Sequence, residues 1–157
     1  MLKYCVANEC PINVFTCAYA ALDGQLECLK YLQKEGKAPW NWQTAAWAAH
    51  KGHLHILEYL HLHILEYRVE CKKFEVYGFH SCRYAAKNGH LDCLKYLHET
   101  AKAPWDSEAV YYAHNYNHSE CLQYLLDNNC PLPHRWRYED GVLYNSSGKL
   151  LYDSRAS

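Results

Sequence analysis

No stretch of this chain approaches the roughly 18 consecutive apolar residues needed to cross a bilayer, and no charge of one sign dominates it. Lysine and arginine number 16 against 17 aspartates and glutamates, a formal net charge of −1, with the two signs interspersed along the sequence. That removes the broad basic footprint of a nucleic-acid or polyanion binder, so neither nucleic acid nor a membrane is expected as a partner. Met1 to Pro11 lacks a basic flank followed by a long apolar core, which reads against a secretory signal. Also missing are the phosphate-cradling G-x-x-x-x-G-K-[ST] and the nucleophile elbow G-x-S-x-G. His98-Glu99 opens like a zinc-protease helix, but Lys102 stands where the second histidine belongs. No C-x-x-C pair offers zinc or redox chemistry. The chain therefore reads as non-catalytic, with no cofactor. What remains is apolar: half of the 157 residues are hydrophobic. That suffices for one domain with a real core, falls short of two ordinary domains, and is too much for a disordered chain. A soluble intracellular protein of the cytoplasm is expected.

The dominant feature is internal repetition, which governs any further reading. Thr16-Cys17-Ala18-Tyr19-Ala20-Ala21-Leu22-Asp23-Gly24-Gln25-Leu26-Glu27-Cys28-Leu29-Lys30-Tyr31-Leu32 has counterparts at Thr44 to Leu60, Ser81 to Leu97 and, more loosely, Ala109 to Leu125. Gly24 to Gly52 spans 28 residues, as does Gly89 to Asn117, whereas Gly52 to Gly89 spans 37. The excess has a visible source. His53-Leu54-His55-Ile56-Leu57-Glu58-Tyr59 recurs eight residues later as His61-Leu62-His63-Ile64-Leu65-Glu66-Tyr67, and subtracting that tandem copy leaves 29.

Each unit reads as two antiparallel helices. Thr or Ser is expected to cap the first, Ala-Ala pairs such as Ala48-Ala49 let neighbouring helices approach, and Gly24, Gly52 and Gly89 end it in a left-handed conformation. Leu26, Cys28, Leu29 and Leu32 then share one face at helical spacing, with Glu27 and Lys30 outside. Such a pair buries its apolar face only by stacking on the next unit.

On these residues the chain resembles a known family. Thr44 to His53 resembles the ankyrin signature T-P-L-H-x-A-A-x-x-G-H, and Leu54-His55-Ile56-Leu57-Glu58-Tyr59-Leu60 resembles the second ankyrin helix. The Ala-Pro-Trp connectors at Ala38-Pro39-Trp40 and Ala103-Pro104-Trp105 depart from the usual pattern, as does a period shorter than the usual 33. This variant resembles the arrays of giant DNA viruses, amoebae, algae and oomycetes. The resemblance covers roughly residues 2 to 133. It implies an all-α solenoid of about four helix pairs plus a leading half repeat, with a compact loop in place of the projecting hairpin.

The expected divisions are a truncated unit at 2–15, units at 16–43, 44–80, 81–108 and 109–133, and a cap and tail at 134–157. Leu2-Lys3-Tyr4 matches Leu29-Lys30-Tyr31, so the chain starts inside a second helix, read as a minimal cap rather than the remnant of a longer array. After Pro133, Trp136 to Glu139, Asp140-Gly141 and Val142 to Tyr144 read as a tight hairpin. Lys149 to Tyr152 is a candidate third strand, and the whole is expected to cover the last repeat.

Nine cysteines would suggest a disulfide scaffold in a secreted chain. Here Cys28, Cys93 and Cys121 share a repeat position with Ile56, so they read as small core hydrophobes. Among the eleven histidines, His53, His55, His61 and His63 cluster at the duplication. Their spacings of two and eight do not match the i, i+4 pair of a helical metal site. His53 and His90 fill the Gly-His position, where the ring satisfies loop backbone. No metal is expected. Tyr31, Tyr59, Tyr96 and Tyr124 recur at one position, and Tyr19, Trp47, Tyr84 and Tyr112 at another; both rows read as packing between repeats.

The resemblance implies a partner protein on the concave face, touched by connector tips and by the two residues before each turn glycine. Carried across, these are Leu22-Asp23, Trp42, Gln43, His50, Lys51, Phe79, His80, Lys87, Asn88, Ser107, Glu108, Asn115 and Tyr116. The expected function is a monomeric protein–protein interaction module, an adaptor or host-interaction factor of a virus (then in the host cytoplasm) or protist. The alternatives are a structural remnant of an expanded family without a selected partner, or a His/Cys metal-binding protein. For the duplication, a second helix longer than its counterparts is expected, its added apolar stripe rotated by about 80°, with irregular chain from Val69 to His80.

Overall fold

The computed structural model describes residues 14–36, 40–66 and 76–156. Four helix pairs follow one another: α1 (Val14–Leu22) with α2 (Leu26–Tyr31, continued by a wide turn at Leu32–Gly36), α3 (Trp42–Lys51) with α4 (Leu54–Glu66), α5 (Phe79–Lys87) with α6 (Leu91–Glu99), and α7 (Ser107–Asn115) with α8 (Ser119–Asp127). The expected leading half repeat lies largely outside the described residues. Strands β1 (Arg137–Glu139), β2 (Val142–Tyr144) and β3 (Leu150–Asp153) form an antiparallel sheet in the order β1-β2-β3.

The first helices α1, α3, α5 and α7 lie side by side, each in close contact with the next, whereas the second helices touch their neighbours sparsely. The reason is side-chain size. Ala18, Ala21, Ala45, Ala48, Ala49, Ala85, Ala86, Ala109 and Ala113 are buried along the first row; Leu29, Leu32, Ile56, Leu57, Leu60, Leu94, Leu97, Leu122 and Leu125 fill the second. Small residues on one side and large ones on the other bend the array, so the first helices line its inner face.

The turn inside each unit follows the sequence. Gly52 has φ +74° and closes α3, and the backbone N–H of His53 donates to Ala48 O at 2.9 Å. In the fourth unit Asn117 takes the same left-handed place at φ 59°, which asparagine tolerates. The capping expectation fails. Asn41 and Asp106 are the N-caps of α3 and α7, each accepting a backbone N–H (Gln43 at 3.0 Å, Glu108 at 3.2 Å). Thr44 and Ser81 sit one turn inside their helices, fully buried, with no hydrogen-bond partner for either hydroxyl among the described residues. They are small packing residues, as Ala109 is at the same position, also fully buried. The connector 100–106 is a compact loop: Ala101 N and Ala103 N donate back to Tyr96 O and Leu97 O on α6.

α4 runs for 13 residues against nine in α6 and α8. Of its second copy, Ile64 stays buried while Leu62 and Leu65 are 57% and 56% exposed, as the expected rotation requires. The chain beyond is described again from Val76. Val76 and Tyr77 are buried, Tyr77 donates its hydroxyl to Leu57 O at 3.3 Å, and Gly78 precedes α5. Phe79 and His80 are thus already helical.

The sheet closes the last unit. Asp140 and Gly141 both have positive φ, 50° and 81°, the tight turn expected of Asp-Gly. Leu143 is fully buried within the core, and Tyr152 donates to the Gln123 side chain on α8 at 2.8 Å.

Candidate inner-face binding site

Residues just before each turn stand at the C-terminal ends of the first helices, and connector residues stand at their N-terminal ends. The candidate positions accordingly separate into two groups on the inner face.

At the N-terminal ends, Trp42 and His80 lie ring to ring at 4.5 Å, tilted by 30°, and Trp42 is 37% exposed. Phe79 is exposed, with the Arg83 guanidinium 6.0 Å from its ring centre. Arg83 is otherwise committed: it binds Asp106 through Nε and Nη2 and Glu108 at 2.9 Å. Gln43 is also engaged, accepting from the Asn41 side chain at 2.9 Å. Glu108 and Gln43 thus serve the helix starts first, and Ser107 is half-buried at the beginning of α7.

At the C-terminal ends, Asn88 donates its side-chain N–H to Tyr84 O at 2.9 Å and meets His50 Nδ1 at 3.0 Å. A carbonyl only accepts, so the amide must present its NH2 group, and His50 Nδ1 must be the unprotonated acceptor. The proton of the neutral ring is therefore on Nε2. Burial, reinforced by Lys51, Lys87 and His90, holds the His50 pKa below its ordinary value. The Lys87 ammonium lies 5.4 Å from the Tyr112 ring centre and 5.0 Å from that of Tyr116. Lys51 and Asn115 are exposed.

Tyr84 joins the two groups. Its ring is 6.3 Å from His80 and 5.4 Å from His50. The packing between repeats expected of its row is met at Tyr19–Trp47 and His50–Tyr84, and its half-buried ring also reaches the surface. Tyr59, Tyr96 and Tyr124 do pack against the core. The row Tyr19, Trp47, Tyr84, Tyr112 both packs and shows surface: Tyr19 contacts Trp47 at 5.1 Å yet is 57% exposed. The available signal was spacing, since His80, Tyr84 and Lys87-Asn88 fall on one helical stripe. The strip also reaches the cap, where Trp136 meets His114 at 5.5 Å and Tyr111 at 6.2 Å.

Elsewhere the reactive residue types serve the fold. Six free cysteines are described, five of them buried. Burial pushes Cys17 and Cys121 up to about 11, and Cys93 and Cys130 up to about 12, the Trp40 indole pulling the other way at Cys17. His53 and His90 donate Nε2–H to Leu22 O and His50 O, each at 3.1 Å, in the preceding unit. Their rings cover the turn glycines of that unit. His98 stacks on Trp105 at 3.7 Å; Tyr124 donates to Glu99 at 2.8 Å, so His98 Nδ1–H is the donor to Tyr124 at 2.9 Å. Among the described residues no three His, Cys, Asp or Glu side chains converge as metal ligands. The inner face offers flat half-exposed rings, amide and imidazole groups and two ammonium groups, the equipment of recognition.

Comparison with known proteins agrees with this geometry. The family model described as ankyrin repeats (3 copies) matches residues 17–103. Among solved structures, a chain in the crystal structure of the yeast ribosomal protein Rps3 in complex with its chaperone Yar1 is similar. It shares 23% identity at a TM-score of 0.58, over 80% of this chain and 95% of that one. At that identity the likeness concerns the fold. No curated protein matches by sequence. With three repeats matched over more than half of its length, this chain belongs to the ankyrin-repeat family.

Proposed function

We propose that this chain is a non-catalytic protein-binding module that receives its partner on the inner face, along the strip running from Trp42 and His80 through Tyr84 to His50, Lys87 and Tyr116. The carrying observation is continuity: Tyr84 touches the histidines of both groups, so what looked like scattered candidates forms one surface. Family membership supports protein interaction as the activity, and the similar solved chain comes from a protein–protein complex. The short period and Pro-Trp connectors support an adaptor acting on host proteins, in the cytoplasm, as in the viral and protist arrays it resembles.

Tryptophan and tyrosine are over-represented among the few residues that carry most binding energy, and such a residue is worth about 2 kcal/mol or more when truncated. The test compares lysate capture by the natural chain with capture by a Trp42→Ala/Tyr84→Ala/Lys87→Ala variant, both checked for helix content and melting. The variant is expected to lose the proteins that the natural chain retains. If it recovers the same set, the inner-face reading fails.

A further inference from the structure

The near-zero net charge conceals a segregation that only the helix pairing makes visible. The second helices carry Glu27, Glu58, Asp92, Glu99, Glu120 and Asp127, all exposed, against Lys30 and Lys95. The first helices carry Lys51, Arg83 and Lys87 against Glu108. First and second helices alternate along the chain, so the signs look interspersed in sequence while the two faces differ.

Within the inner face the charge is more local still. Arg83 is neutralised by Asp106 and Glu108 at the N-terminal ends of the helices. Lys51 and Lys87, near the C-terminal ends, have no carboxylate partner among the described residues. Asp23, exposed in the same row one unit earlier, makes no ion pair with Lys51. Part of this placement is structural, since a cation favours the C-terminal end of a helix. The helix dipole does not account for the surroundings of the two ammonium groups. Both act electrostatically on His50, and Lys87 lies over the rings of Tyr112 and Tyr116.

This end of the inner face carries two cations without a carboxylate partner among the described residues, two aromatic rings under Lys87, and His50 with its Nδ1 accepting from Asn88. We infer that it receives a carboxylate-bearing peptide segment, an acidic stretch of the partner protein with an apolar or aromatic residue beside the acid. A carboxylate would meet Lys51 and Lys87, and the neighbouring apolar group would lie on the Tyr112 and Tyr116 rings. The acidic outer face would repel the same segment, so orientation as well as affinity would be set by charge. This inference rests on the inner-face reading above and adds the chemistry of the partner.

The test uses the whole chain and three dye-labelled peptides of equal length. One is rich in Asp and Glu with one Trp, the second is its Asn/Gln counterpart, and the third is its Lys counterpart; fluorescence anisotropy at low salt reads binding. The acidic peptide is expected to bind at least tenfold more tightly than the Asn/Gln peptide, and the Lys peptide more weakly than both. Lys51→Gln/Lys87→Gln should weaken the acidic peptide at least tenfold, and Lys51→Arg/Lys87→Arg should retain it. Lys30→Gln/Lys95→Gln, which removes two cations from the outer face, should change it less than twofold. Equal loss in both Gln pairs, or equal binding of the acidic and Asn/Gln peptides, would overturn the inference. So would tighter binding of a single-stranded oligonucleotide of the same charge, or a concentration-dependent dimer abolished by Lys51→Gln/Lys87→Gln. Should the acidic peptide fail while Trp42→Ala/Tyr84→Ala/Lys87→Ala still loses its captured proteins, the partner chemistry is wrong and the binding face stands.

Discussion

At Gly52 the absence of a side chain is filled by a ring from the next unit. A Cβ built there would stand 2.7 Å from His90 Nδ1, and φ is +74°. Alanine at this place therefore meets two penalties. The left-handed backbone disfavours it by about 1 kcal/mol, and the displaced ring gives up its bond to His50 O, worth about 1 kcal/mol more. Gly52→Ala is expected to lower unfolding stability by about 1–3 kcal/mol in urea titration. The double variant with His90→Ala should lose less than the sum of the single losses, since removing the ring relieves the clash. The histidines also give a pH dependence. Burial depresses the pKa of His50, His98 and His114 below 6.5, so between their folded values and about 6.5 the unfolded chain holds more protons than the native one. Stability should rise with pH through that window, and these groups should contribute nothing further above it. Thermal melts from pH 5 to 7.5 should show the rise, and His50→Gln/His98→Gln/His114→Gln should flatten it. At this scale the turn glycines and Gly-His positions were legible because a local backbone need dictates them. The His50–Asn88–Tyr84 linkage was not, since it joins residues 38 apart whose side-chain directions depend on how two helices stack.

At the scale of elements, the duplicated octapeptide tests how far helix geometry alone determines burial. Eight residues at about 100° each turn the second copy by about 80°, which takes Leu65 out of the core position that Leu57 holds. Leu57 is fully buried and Leu65 is 56% exposed. The same leucine in the same local sequence thus meets opposite environments. Leu57→Ala should destabilise by about 2–5 kcal/mol through lost burial and a cavity, whereas Leu62→Glu/Leu65→Glu should change stability by less than about 0.5 kcal/mol per site. Comparable losses in the two variants would mean that Leu62 and Leu65 are covered in the folded protein. The helix pairs, their turns and the hairpin were legible because each has a short-range signal: a 3.6-residue period, a glycine stop, an Asp-Gly turn. The capping residues were misread for a definite reason. Thr44 and Ser81 have the chemistry of caps, but Asn41 and Asp106 stand three residues before Thr44 and Ala109, and the connector geometry selects them.

At the scale of the whole molecule, an array of stacked pairs is stable as a sum of unit and interface contributions, and its ends are the weak places. Here the far end is closed by a sheet rather than by a polar helix. Leu143 completes the core, while Trp136, Tyr138, Leu151 and Tyr152 pack partly buried against it. Tyr152 also ties the third strand to Gln123 on α8. Ending the chain after Pro133 would expose the side of α7 and α8 that these residues cover, around Tyr111, His114 and Gln123. The truncated protein is expected to melt lower and less cooperatively, with amide exchange of α7 and α8 accelerated far more than that of α3. The selectivity carries the claim, because the interface between α3 and α5 is left intact, whereas general destabilisation would raise exchange everywhere. Leu143→Ala should reproduce the effect in part, at about 2–5 kcal/mol. Trp136 adds a functional consequence, since its ring holds Tyr111 and His114 at the end of the inner face. If the cap only closes the core, Trp136→Ala will weaken α7 and leave partner capture unchanged. If the sheet also extends the binding strip, capture will fall in Trp136→Ala under conditions where α7 remains protected from exchange, and that is the expected result.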